Sequence, residues 1–264
     1  MRRLFWPVIV AVVMGTFPPF CGGCRAQGWE DAFFKANSAY REGRYAEAAR
    51  RYRLLIRSGH ENGHIYYNLG NACFRQGKLG RAILNYERAR RFIPRDADLN
   101  FNLAHAREQR RDAVPETRGV TETAFFWLAS LSLSEILWGF AVLNLLFWGI
   151  LVVRVFTRPE WSYYVFLVLL AGWLAAGFSL GLKWHEEATD NRAVILLPEV
   201  SVLAGPDTRD TVLFKLHEGT VVYRERSEDG WSLIHLSDKK RGWVMSGAME
   251  LIRSSSLPAP VNRS

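Results

Sequence analysis

The sequence predicts a multidomain membrane protein in which α-helical repeat hairpins, two transmembrane helices and a small all-β barrel follow one another along the chain. Three observations predict it. Two uncharged apolar runs, Ile136–Val153 and Trp161–Leu182, are each long enough to cross the hydrocarbon core of a bilayer. Ahead of them residues recur with a period of about 34, and behind them short apolar runs alternate with turn residues. The averages conceal this plan. Over 264 residues the chain is 49% hydrophobic with a mean hydropathy of −0.06, because apolar spans and polar modules cancel.

Residues 1–26 carry the three-part pattern of a secretory signal: Arg2 and Arg3, an apolar core from Leu4 to Phe20, and small residues ending in Cys24-Arg25-Ala26. Cleavage after Ala26 would remove Cys21 and Cys24, whose CxxC spacing then belongs to the cleavage region rather than to redox chemistry. Retention as an uncleaved anchor is the alternative, and it leaves the topology unchanged.

Residues 27–112 hold the repeat. Asn37 recurs as Asn71, Gly43 as Gly77, Ala48 as Ala82, Tyr52 as Tyr86, Asn68 as Asn102 and Leu69 as Leu103. A helix-turn-helix unit of about 34 residues is the tetratricopeptide signature. The second copy is the more regular, with Tyr66, Leu69, Gly70, Ala82, Tyr86, Ala89 and Pro94 in place. Gly70 and Ala82 are small enough for two helices to approach, Tyr86 fills the space between them, and Pro94 stops the second helix. Cys73 reads as a buried filler. The third copy is a single helix, Asp98 to about Gln109, which would cap the array.

Residues 113–135 begin as a polar linker and become apolar at Ala124, as an interfacial helix would. The spans 136–153 and 161–182 follow, joined by a loop over 154–160, and 183–191 reads as a second linker. If the signal exports the repeats, the loop is cytoplasmic and both soluble modules share the extracytoplasmic side; Arg154 and Arg158 in the loop agree with this.

Residues 192–253 read as strands at Ala193–Leu197, Val200–Leu203, Val212–Leu216, Thr220–Tyr223, Trp231–Leu236 and Trp243–Met245, and 254–264 as a disordered tail. Glu199-Val200-Ser201-Val202, Gly205-Pro206, the turn Leu216 to Thr220, Gly230-Trp231 and Gly242-Trp243-Val244 carry a resemblance to the bacterial SH3-like family. The order of parts resembles the BatE-type membrane proteins of bacterial aerotolerance operons. That resemblance implies a bacterial inner-membrane scaffold whose neighbours are other membrane proteins, von Willebrand A-type proteins of the same operon among them, with a MoxR-type ATPase more loosely associated.

No metalloprotease motif, nucleophile elbow or Gly-rich phosphate loop occurs, so no catalytic residue, metal site or cofactor is expected. His185-Glu186-Glu187 reads as linker. The repeat groove is the partner-binding candidate. Phe33, Asn37, Tyr40 and Arg41 in the first copy and Tyr67, Asn71, Phe74 and Arg75 in the second should face the concave side, with Asn68 and Asn102 nearby. Amides can hydrogen-bond a peptide backbone and arginines can pair with its carboxylates. The competing account has Tyr40 and Phe74 packing between hairpins. In the barrel, Tyr223, Trp231 and Trp243 are expected either to line a groove or to fill a core. Basic residues outnumber acidic ones from Gln27 to Asp112 and balance them from Arg192 to Arg253. In an exported domain this excess, Arg50, Arg51, Arg53, Arg88, Arg90 and Arg91 included, reads as a solvated face rather than a nucleic-acid site. The expected function is therefore a non-enzymatic scaffold; the alternative is an envelope sensor whose barrel binds peptidoglycan.

Overall fold

The computed structural model describes residues 26–112, 125–156, 159–237 and 240–253. The expected signal over 1–25, the polar part of the linker and the C-terminal tail lie outside these residues.

The repeats form five helices: α1 (Ala26–Arg41), α2 (Tyr45–Arg57), α3 (Gly63–Arg75), α4 (Leu79–Phe92) and α5 (Ala97–Glu108). α1 with α2, and α3 with α4, make two hairpins, and α5 stands alone as the third first-helix. Each hairpin turns on a glycine that recurs with the period. Gly43 and Gly77 adopt φ of 79° and 72°, where a side chain would be strained. Their N–H groups donate to Tyr40 O and Phe74 O, while the next residues donate to Ala39 O and Cys73 O, satisfying the last carbonyls of α1 and α3. Asn62 and Asp96 cap α3 and α5, accepting from Ile65 N and Leu99 N, both at 2.8 Å. Packing between helices depends on Gly70: a Cβ there would lie 2.6 Å from the Tyr86 ring. Cys73 is fully buried beside it, and burial raises its thiol pKa.

After the repeats come α6 (Phe126–Ser130), α7 (Leu133–Phe156) and α8 (Trp161–Thr189). The expected interfacial helix is thus a single short turn of chain. α7 and α8 are long and apolar enough to cross a membrane. α7 starts three residues ahead of the expected Ile136, and a capping box explains why. Ser132 Oγ accepts from Glu135 N at 3.3 Å, while Glu135 Oε2 accepts from Ser132 N at 2.9 Å.

The expected linker 183–191 is corrected: α8 continues through it to Thr189. At about 1.5 Å per residue α8 is about 44 Å long, longer than the thickness of a hydrocarbon core, about 30 Å. Its last turns are held by Lys183, which donates to Leu128 O at 2.9 Å, and by Glu187, which pairs with Arg91 at 3.0 Å. Aromatic stacking joins α7 and α8, with Phe147 lying 5.5 Å from Trp173 and 5.8 Å from Phe166 between ring centroids.

The C-terminal module is a seven-stranded antiparallel sheet: β1 (Arg192–Ile195), β2 (Glu199–Leu203), β3 (Val212–His217), β4 (Val221–Glu228), β5 (Trp231–His235), β6 (Arg241–Met245) and β7 (Met249–Leu251), in the order β3-β2-β6-β5-β4-β1-β7. β4 is longer than the expected Thr220–Tyr223, since a bulge after Arg224 lets it continue along β5. β7 is additional to the expected strands. Three residues are too few for an alternation to register, and β7 is fixed by pairing with β1. Ala193, Ile195, Val202, Val222, Ile234 and Val244 form the module's own core.

Candidate functional site

The period writes an amide ladder into the first helices of the repeats. Asn37 Oδ1 accepts from Tyr52 OH at 2.5 Å and from Asn68 Nδ2 at 3.2 Å. One repeat later, Asn71 Oδ1 accepts from Tyr86 OH at 2.7 Å and from Asn102 Nδ2 at 3.1 Å, and Asn102 also reaches Tyr67 OH at 2.9 Å. Each asparagine therefore ties its own hairpin to the next one. Burial raises the hydroxyl pKa of both Tyr52 and Tyr86, so both stay protonated donors.

The aromatic residues of the groove are half-buried against the helical core: Phe33 beside Tyr52, Tyr67 beside Tyr86, Tyr40 against Tyr45, and Phe74 against His105. Phe74 thus packs between the second hairpin and α5, whereas the ring contact of Tyr40 is with Tyr45 of its own hairpin. Burial raises the Tyr40 hydroxyl pKa, partly countered by Arg75. Arg41 and Arg75 are exposed. Arg41 lies over the Phe34 ring, and Arg75 donates to Tyr45 OH at 3.0 Å while stacking on its ring.

Three exposed or half-exposed aromatic groups went unread in the sequence: Phe34, Tyr45 and Phe101. Phe101 could have been found, because it occupies the period position of Phe33 and Tyr67. Among the described residues no further helix lies beside it, and Phe101 is 71% exposed and stacks on His105.

In the sheet module the pairing Trp231↔Met245, Leu233↔Trp243, His235↔Arg241 and Tyr223↔His235 places all three expected aromatics on one face. They do not form one open groove. Tyr223 stacks on His235 with ring centroids 5.1 Å apart, and Trp243 is buried with the Arg226 guanidinium 5.2 Å from its ring centroid. Trp231 is half-buried opposite the exposed Met245.

The arginines of α4 are the largest departure from expectation. Arg88, Arg90 and Arg91 do not form a solvated face. Arg88 donates to Leu251 O at 2.6 Å and Ile252 O at 3.1 Å and pairs with Glu250. Arg91 pairs with Glu187 of α8, and Arg95, just past α4, pairs with Glu135 of α7. Glu87, fully buried, gathers Arg90, Arg107 of α5 and Arg192 of β1. Burial alone would raise the Glu87 pKa, but the three guanidiniums outweigh it and hold the carboxyl below its ordinary range. Val194 and Ile252 of the sheet module join the helical core at this junction. α4 and Arg95 just past it therefore anchor the sheet and both long helices to the repeats, and the repeats and the sheet sit at the same end of the α7–α8 hairpin.

A second fastening lies at the end of the repeats. Asp112 accepts from His217 N at 2.7 Å and Thr220 Oγ1 at 2.6 Å, and meets His217 Nδ1 at 2.8 Å. Burial pushes the Asp112 carboxyl up, but these hydrogen bonds prevail and hold it below its usual value of 3.8. A depressed folded pKa contributes stability that is complete above the unfolded pKa, about 3.9, and is lost as pH falls through the folded value. Attachment of the sheet module is thus expected to weaken below about pH 4. Asp112→Asn should flatten part of that acid dependence, with Glu87 carrying the rest; an unchanged acid midpoint for separation of spin labels on the two modules would contradict this.

Residues 35–97, from within α1 to the start of α5, match a tetratricopeptide repeat family model. No curated protein matches the chain.

Proposed function

We propose that the chain is a non-enzymatic membrane scaffold that binds protein partners through the concave side of its tetratricopeptide repeats, with α7 and α8 inserted in the membrane. Tetratricopeptide repeats generally mediate protein–protein contacts, and the match over residues 35–97 supports that role. The observation carrying the reading is the division of labour between helices. Sheet and spans dock on α4, whereas the groove residues lie on α1, α3 and α5.

The finer reading is a BatE-type protein of the bacterial inner membrane. Its repeats and SH3-like module would face the periplasm beside von Willebrand A-type membrane proteins. The order of modules supports it, as does the placing of both soluble modules at one end of the hairpin.

The ladder asparagines hold hairpins together, so the test uses exposed positions. Arg41→Glu with Phe101→Ser is expected to reduce partner co-purification from membranes at least tenfold while leaving helix content unchanged. Undiminished co-purification from the folded double variant would remove the groove from the account.

A further inference from the structure

A cavity of about 350 Å³ lies where repeats, sheet and spans meet, near the lower end of small-molecule pocket sizes. Its walls come from the repeats, the end of the sheet module and the start of α7. Tyr66 and Phe92 belong to the repeats, Ile252 to the end of the sheet module, and Leu133 and Leu137 to the first turns of α7. Phe92 stacks on Tyr66 with ring centroids 5.9 Å apart, and Arg88 covers the other part of that wall at 6.0 Å from the Tyr66 ring. Phe92 and Leu137 are 40% and 53% exposed, so the apolar wall is open rather than sealed by protein.

We infer that this cavity holds a phospholipid from the leaflet on the side of the soluble modules, its acyl chain running from the bilayer past Leu137 and under Phe92. This rests on the proposed insertion of α7 and α8. Leu137 begins the apolar length of α7, so the floor of the cavity is continuous with the hydrocarbon, and a chain leaving the bilayer there loses no apolar contact. The polar side of the lining is already engaged within the protein: Arg91 pairs with Glu187 at 3.0 Å, and Arg88 bonds Glu250 and the Leu251 and Ile252 carbonyls, so the apolar wall is what selects the occupant.

The test uses the full chain in nanodiscs of phosphatidylethanolamine carrying a photoactivatable group in the acyl chain, with adducts mapped by peptide mass spectrometry. Adducts are expected on the repeat peptides containing Tyr66 and Phe92, as well as on the spans around Leu145 and Leu146. Leu133→Trp, which fills the cavity, should reduce the repeat adducts at least fivefold and leave the span adducts unchanged. Should that variant fail to fold, Phe92→Ala at an exposed wall position serves instead and should reduce the Tyr66 adducts. Adducts confined to the spans would overturn the lipid site while leaving insertion intact; their absence from the spans too would overturn insertion and the site with it.

Discussion

Glu87→Ala is expected to lower the melting temperature of the detergent-solubilised chain by roughly 6–20 °C. The figure follows from a cost of about 3–5 kcal/mol for breaking a buried ion pair and about 2–4 °C per kcal/mol for a chain of this size. Glu87 is 1% exposed and lies among Arg90, Arg107 and Arg192. Its Oε1 takes the hydrogen bond from Arg107, whereas Oε2 has Arg90 at 3.0 Å and Arg192 at 3.9 Å without a well-aligned hydrogen bond. Removing the carboxylate leaves guanidiniums from α4, α5 and β1 facing one another at the junction. Asp190 still pairs with Arg192 at 2.9 Å. Glu87→Met keeps the volume but removes the carboxylate that faces the arginines, so it should cost nearly as much; a hydrophobic replacement succeeds only when both signs are removed together. Melting followed by helix circular dichroism checks this, and a shift under 2 °C in both variants would show that the cluster contributes nothing net.

What could be read in the sequence divides along a physical line. The hairpins were legible because packing within a repeat is local and recurs: Gly70 must be small because Tyr86 lies against it, and Asn37 and Asn71 are spaced to accept from Tyr52 and Tyr86. α7 and α8 were legible because each is built on an uninterrupted apolar run long enough to cross a membrane. The junction was not. An arginine on a helix surface looks the same whether water or a distant carboxylate faces it, and the partners of Arg88 and Arg91 lie 162 and 96 residues further along the chain. The same blindness made Lys183 to Thr189 read as linker. The apolar pattern ends there, but the helix continues because Lys183 and Glu187 find partners in other elements.

In the candidate groove, residue identity was legible and role was not. Period and helix face located Asn37, Asn68, Asn71 and Asn102, yet the sequence alone could not show that their amides bond to one another and to tyrosines. Phe101 shows the converse. It fills a position that is covered in both preceding repeats, and its exposure depends on the array ending at α5. In the sheet module, alternation assigned Tyr223, Trp231 and Trp243 to one face but not the covering of Trp243 by Arg226, which pairs across a bulge.

Gly80→Ala is expected to separate the sheet module from the repeats without unfolding either. Gly80 is the second residue of α4, in the first turn, where the helix meets β1, and a Cβ there would stand 2.5 Å from Ile195 O and 3.2 Å from both Gly219 N and Leu196 Cα. All three neighbours are backbone. Ile195 O is already engaged by Gly219 N at 2.9 Å, so the strand cannot retreat without giving up a bond that closes the turn beside it. No rotamer relieves such a clash, and overpacking of this kind forces a shift of whole elements. The helix itself gains from the change, because alanine is a better helix former than glycine by about 1 kcal/mol. Repeat stability should therefore hold or rise while docking fails, and the docking bonds from Gly80 N to Glu218 and from Arg88 to Glu250 and Ile252 should be lost together. Spin labels at the exposed positions Arg50 and Thr208 read the outcome: a narrow distance distribution in the wild type should broaden and shift by several ångströms in the variant. If the distribution stays narrow while helix content is unchanged, the close approach at Gly80 is not what sets the position of the sheet, and the arginine pairs of α4 alone hold the two modules in register.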